Sequence, residues 1–268
     1  MAGLASWSIV VEPDRLVVRR ATVSVRDVPA GWRPLKIAVL SDVHAGAPHL
    51  GAAKLRQIVT TVNALDPDVV VFLGDLVIHG VLGGRFMDPE RAVQELGGLR
   101  ARYAKIAVLG NHDWWLDGPR VRAALESTGF RGLENDAVPV EREGQRVWFA
   151  GLADLWTRDP DIKGTLARIP DGAPVVLLTH SPDVFPDVPA RVTLTLAGHT
   201  HGGQVRLPGI GSPIVPSRFG QRYATGLVEE HGRRLFVTSG IGTSILPVRL
   251  GVPPEVAEVT LTPVTLTP

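Results

Sequence analysis

The chain of 268 residues is long enough for one large domain with a sizeable core. Its 28 Lys plus Arg stand against 27 Asp plus Glu, a formal net charge of +1, so the global balance points neither to nucleic acid nor to an acidic partner. The absence of cysteine excludes disulfides, thiolate metal ligands and a cysteine nucleophile, so any metal must be held by His, carboxylate or amide oxygen.

The opening stretch from Met1 to Val11 is mildly apolar without a basic lead, and Glu12-Pro13-Asp14 stop it well short of the roughly 20 residues of a membrane span. A soluble, cytoplasmic chain is expected, with peripheral membrane contact left open. Residues 7–12 and 15–25 read as two strands around Glu12-Pro13-Asp14-Arg15, an N-terminal β-hairpin within residues 1–30 of a single domain spanning 1–268. Leu35–Leu40 is the first buried-looking strand and runs into Ser41-Asp42-Val43-His44. Apolar residues spaced by three or four over 51–65 predict an amphipathic helix. The continuous apolar run Val69–Leu73 suits a parallel strand covered on both faces, and it delivers Gly74-Asp75.

A second helical stretch ends near Arg102, and the strand Lys105–Leu109 delivers Gly110-Asn111-His112-Asp113. A helix at 119–128 and strands near 137–141 and 146–150 follow. The strand 174–178 delivers Thr179-His180, and the strand 192–197 delivers Gly198-His199-Thr200-His201. The tail predicts strands at Gln204–Leu207, Leu235–Thr238 and Val256–Leu261. The early βαβα rhythm and the later β-rich part suggest two sheets packed on each other with helices outside.

Five apolar strands therefore end in polar tips, and five of the eight histidines lie in them. The carboxyl ends of strands in α/β sheets are where ligands bind, so the tips can converge on one crevice. Asp42, His44, Asp75, Asn111, His180, His199 and His201 form a nitrogen and oxygen set suited to Zn²⁺, Mn²⁺ or Fe. That is enough for two divalent ions sharing a carboxylate. Asp42 and Asp75 bring two negative charges against four positive, which leaves a pocket attractive to phosphate.

These five blocks, Asp42-Val-His44, Gly74-Asp75, Gly110-Asn111-His112-Asp113, Thr179-His180 and Gly198-His199-Thr200-His201, resemble those of the calcineurin-like metallophosphoesterases, in order and without a missing ligand. The resemblance implies an α/β fold, a four-layer αββα sandwich of two mixed sheets flanked by helices. It implies that Asp42, His44 and His201 bind one metal, that Asn111, His180 and His199 bind the other, and that Asp75 bridges them. His112 would be the family's non-ligand histidine, contacting the phosphoryl group and protonating the leaving oxygen. Asp113 would orient His112 or cap the helix that follows.

The tail motifs Thr238–Thr243, Pro247-Val-Arg249 and Pro253-Pro254-Glu255 resemble a bacterial subgroup of phosphodiesterases and UDP-2,3-diacylglucosamine hydrolases. The function expected from this resemblance is hydrolysis of a phosphodiester or pyrophosphate by a metal-bridging hydroxide, on a small-molecule or lipid-linked substrate. The alternatives are a phosphomonoesterase, including a protein phosphatase, and a non-catalytic scaffold of the same fold. Phe86, Met87, Trp114, Trp115 and Trp156 are candidates for an apolar rim, against the plainer reading of small satellite cores. Arg249 is a candidate for phosphate binding or for a structural salt bridge.

Overall fold

Twelve strands divide equally between two mixed sheets in the computed structural model, which describes residues 2–25, 32–78 and 80–264. The first sheet holds β1 (Val17–Val25), β2 (Leu35–Leu40), β3 (Val69–Phe72), β4 (Ala104–Ala107), β5 (Phe130–Gly132) and β12 (Glu255–Pro263). Its order is β1-β12-β2-β3-β4-β5, with β2 through β5 parallel and β12 antiparallel to β2. The second holds β6 (Asp136–Arg142), β7 (Gln145–Gly151), β8 (Val175–Leu178), β9 (Leu194–Ala197), β10 (Gly226–Glu230) and β11 (Arg233–Val237). Its order is β10-β11-β9-β8-β7-β6, with β7, β8, β9 and β11 parallel.

Alternation along each strand sorts the side chains into layers. Ile37 and Val39 of β2, Val69 and Val71 of β3, Val176 and Leu178 of β8, and Leu194 and Leu196 of β9 meet in the core between the sheets. Ala38 and Leu40, with Val70 and Phe72, face the other way and pack on α2 (Ala52–Ala64), α3 (Pro89–Leu96) and α4 (Asn111–Ser127). The far face of the second sheet is covered by α5 (Ile162–Leu166) and the short 3-10 turns at Pro182–Asp187 and Gly220–Tyr223. The expected αββα sandwich is therefore present, its fourth layer thin.

Two local expectations are corrected. Residues 7–11 are not the first arm of a hairpin: the chain winds through α1 (Ala2–Ser6), helical turns at Trp7–Val11 and a 3-10 turn at Glu12–Asp14 before β1. A tight hairpin loop needs residues at positive φ, which none of Glu12 to Arg15 adopts, and Pro13 has no N–H to give a ladder. Glu12 is buried instead, accepting hydrogen bonds from Trp7 Nε1 at 2.8 Å and from the Val252 backbone N–H at 2.8 Å. Residues 26–31, in and beside the predicted hairpin region, lie outside the described residues. The strand expected at Gln204–Leu207 reduces to isolated bridges from Val205 and Leu207, because His201, Gly202, Gly203 and Gln204 all take positive φ and curl the chain.

Candidate metal centre

The loops leaving β2, β3 and β4 meet those leaving β8 and β9 across the two sheets. Backbone bonds stitch them together: Asp42 N–H donates to Gly74 O at 2.9 Å, His44 N–H to Asp75 O at 3.0 Å, and Gly198 N–H to His180 O at 2.9 Å. Two glycines are required by the closeness of this seam. A Cβ on Gly198 would lie 2.0 Å from Ser41 Oγ and 2.5 Å from Asp42 Oδ2, and one on Gly110 would lie 2.3 Å from Asp75 Oδ1. Asp42, His44, Asp75, His199 and His201 take φ between 46° and 68°, a region that side-chain-bearing residues rarely visit.

The seven residues expected as ligands are all buried at this junction. Asp42, His44 and His201 place one donor atom each within 4.8 Å of one another, and so do Asp75, His180 and His199. Asp75 Oδ2 stands 3.2 Å from His180 Nε2 and 3.7 Å from His44 Nε2, between the two sets. His44 Nδ1 donates to Val77 O at 2.9 Å and His180 Nδ1 to Leu73 O at 2.7 Å, which turns each Nε2 inward.

Those inward nitrogens fit metal ions. His44 Nε2 lies 3.2 Å from His201 Nε2, and His180 Nε2 lies 3.2 Å from His199 Nδ1. Two imidazole nitrogens on one zinc-like ion stand about 3.0–3.4 Å apart, from bonds near 2.1 Å at octahedral to tetrahedral angles. Asp42 Oδ1 and Asn111 Oδ1 are buried and accept no hydrogen bond, as acceptor oxygens reserved for a cation would be.

Electrostatics prepare the same chemistry. Burial alone would raise Asp75, but His180 and the neighbouring histidines hold its carboxyl well below the usual range. Burial likewise opposes charge on His180, yet Asp75 and Asp42 push it well above the usual imidazole range. Burial and then His180 drive His199 down to about 3, and burial and then His44 drive His201 well below the usual range. Two of the histidines are thus already neutral, as ligation requires.

His112 sits at the start of α4 with its backbone N–H donating to Asp75 Oδ1 at 2.9 Å. Its ring meets that of His44 edge-on at 4.7 Å and tilts against Trp115 at 4.9 Å. It also shares a grouping of donor atoms with His44 and Asp75. The Asp113 carboxylate accepts backbone N–H bonds from Asp75, Leu76, Val77 and Gly110, at 2.8 to 3.4 Å. It clamps the β3 loop to the start of α4 and completes the capping of that helix.

Among the described residues Arg249 forms no salt bridge, and its donors are taken by backbone carbonyls. Its buried guanidinium donates to the carbonyls of Ser239, Gly240, Gly242 and Val252, bracing the loop that packs against Asp42. Of the proposed rim residues, Trp115 and Trp156 line the cavity over the site, whereas Trp114 and Met87 pack against the helix-side core. Sequence reading overlooked Asp154. Its Oδ2 accepts from the backbone N–H groups of Trp156 and Thr157, which holds the Trp156 ring edge-on to His199 at 4.8 Å. The only sequence signal was an Asp two residues before a Trp in a loop, an ordinary Asx turn.

Two mixed sheets with grouped His and Asp donors at their strand tips mark a metal-dependent phosphoesterase. The chain belongs to the calcineurin-like phosphoesterase family, whose profile matches residues 35–203. It is 31% identical to the uncharacterized metallophosphoesterase YkuE of Bacillus subtilis, over 94% of this chain and 87% of that one. It is 28% identical to the phosphodiesterase YaeI of Escherichia coli, over 85% and 82% of the two chains. Among solved structures it resembles the NAD nucleotidase of Haemophilus influenzae in fold, with a TM-score of 0.50, 13% identity and coverage of 77% of this chain and 45% of that one. No helix among the described residues is long and apolar enough to cross a membrane.

Proposed function

We propose that the chain hydrolyses a phosphodiester with two ions drawn from Mn, Zn and Fe. Asp42, His44 and His201 would hold one, Asn111, His180 and His199 the other, and Asp75 both. The observation that carries this reading is the placement of Asp75 Oδ2 between the inward nitrogens of His180 and His44. When bound, two such ions supply Lewis-acid charge for the phosphoryl oxygens and acidify a coordinated water. His112, on the cavity floor, presents its ring to the substrate and passes a proton to the leaving oxygen. Asp113 acts at one remove, by fixing the backbone of Asp75 and of the residues that follow it. Preference for a diester over a monoester is supported by the likeness to a phosphodiesterase.

The test is hydrolysis of bis(p-nitrophenyl) phosphate beside p-nitrophenyl phosphate, with bound metal counted in the same sample. About two ions per chain and faster diester cleavage are expected. Faster monoester cleavage would make the protein a phosphatase, and full metal content without turnover of either ester would revive a scaffold role. In the same assay His112→Ala should lower turnover by about 10²–10⁴-fold with both ions retained. Loss of an ion would instead place His112 among the ligands.

A further inference from the structure

The metal centre opens into a cavity of about 570 Å³. Its floor is the site itself, with Asp75, Asn111, His112, His199 and His201. Its walls are mostly apolar, with Trp115, Trp156, Ile214, Val215, Pro216 and Ile245 outnumbering the polar Thr200, Gln204 and Ser244, and with no Lys or Arg among the described lining residues. Exposed Trp and Ile side chains gathered around a phosphate site keep apolar surface in water, and that cost is recovered only when something apolar covers it. A second phosphate or a sugar would ask instead for cations and hydrogen-bond donors.

The walls are also held in place. Ile245 is 72% exposed, yet it has φ +63°, a strained conformation that β-branched residues rarely adopt. Gln204, three residues beyond His201, fixes this loop: its Oε1 accepts from Ser244 N–H and its Nε2 donates to Leu246 O. Leu82 N–H donates to Ile245 O at 3.0 Å from the opposite side. Ile214, 80% exposed, sits on a loop fastened by the Ser212 Oγ–H bond to Gly202 O. Trp156 is set by Asp154 as described above. The Ile245 and Ile214 loops are thus tied to the segment that follows His201, and Trp115 follows Asn111 and His112 on α4.

We infer that Trp115, Trp156, Ile214 and Ile245 form an apolar subsite that receives an aryl or alkyl substituent on the phosphoester. This rests on the phosphoesterase reading and narrows it: the substrate is amphiphilic, with its apolar group close to the phosphorus, and a pyrophosphate is disfavoured. The subsite binds the substituent that remains with the phosphate or leaves with it, and its contribution appears chiefly in KM.

The test separates binding from turnover. Affinities of the metal-loaded protein for dimethyl, dihexyl and diphenyl phosphate are measured by titration calorimetry, followed by kcat/KM for methyl, hexyl and phenyl p-nitrophenyl phosphate. The hexyl and phenyl compounds should bind at least about tenfold more tightly than dimethyl phosphate, with a negative heat-capacity change. Preference for hexyl would identify a chain-bearing ester and preference for phenyl a planar one; either supports the subsite. Equal affinity across the series overturns it. Selective binding without hydrolysis of any ester would leave the subsite standing and remove the diesterase reading, whereas hydrolysis without selectivity would do the reverse. Ile245→Gly relieves the positive-φ strain, so its melting temperature should not fall, while the apolar-to-methyl ratio should drop about threefold or more. An unchanged ratio in both Ile245→Gly and Trp156→Ala would also overturn the proposal.

Discussion

Asp42, His44, Asp75, His199 and His201 hold a left-handed backbone, and each costs of order 1 kcal/mol that the surrounding loops must offset. One offsetting device is Asp113. Its carboxylate serves four backbone N–H groups on two loops, and those donors are buried with it. An amide has one acceptor oxygen where the carboxylate has two, and its NH₂ would face a donor. Asp113→Asn should therefore lower the stability of the metal-free protein by about 1–3 kcal/mol, read from urea unfolding. It should also weaken metal retention, because residues 74–77 lose their anchor. Unchanged stability would mean that the clamp is dispensable, and the role of Asp113 would then have to be sought at His112.

At the scale of elements, the loops that end the strands do the positioning, and glycine sets how close they come. Gly198 ends β9 against Ser41 and Asp42, which end β2 in the other sheet. Gly198→Ala pushes a methyl into both, so the Asp42, His44 and His201 set should lose metal affinity about 10–100-fold while far-UV circular dichroism is unchanged. Metal titration of the variant checks this, and wild-type affinity would show that the seam is looser than its distances. The strand tips were legible in the sequence because apolar runs such as Val69–Phe72 and Val175–Leu178 end abruptly in a ligating residue. The αββα layering followed from the same runs. The N-terminal turns were not legible, since Trp7 to Val11 is as apolar as a strand and only the burial of Glu12 decides its path. The start of α4 at Asn111 was hidden in the same way: Pro119 looks like a first turn, but the helix begins earlier and is merely broken at Asp117. Asp154 and Gln204 act through loop contacts that no spacing announces.

On the scale of the whole molecule, two sheets force several like and unlike charges into one buried crevice, and pH decides how the protein bears them. The folded state raises His180 above its ordinary 6.5, with burial opposing and Asp75 and Asp42 prevailing. That stabilisation is complete below about pH 6.5 and is lost as pH climbs through the raised value. Burial and the Asp75 carboxylate push Asp113 from 3.8 up to about 7. The folded chain then keeps a proton that the unfolded chain releases, so stability falls further between these values. Asp75, held well below 3.8, contributes above 3.8 and fails only as acid titrates it. His199 and His201, held below their ordinary 6.5 by burial, work the other way and withdraw stability as pH falls below about 6.5, so the ion-free protein should be most stable near about pH 6. Metal binding reverses the demand, since ligation needs His180 without its proton and Asp42 ionised. With chelator present, the melting temperature at about pH 6.5 should exceed that at about pH 8 by a few degrees. With saturating Zn²⁺ or Mn²⁺, the order should invert, and the increment produced by the metal should be larger at the higher pH. Calorimetric scans at both pH values, with and without metal, decide it. An ion-free melting temperature that rises toward pH 8 would contradict the Asp75–His180 charge pair, and a metal increment independent of pH would show that no proton leaves His180 when the ions bind.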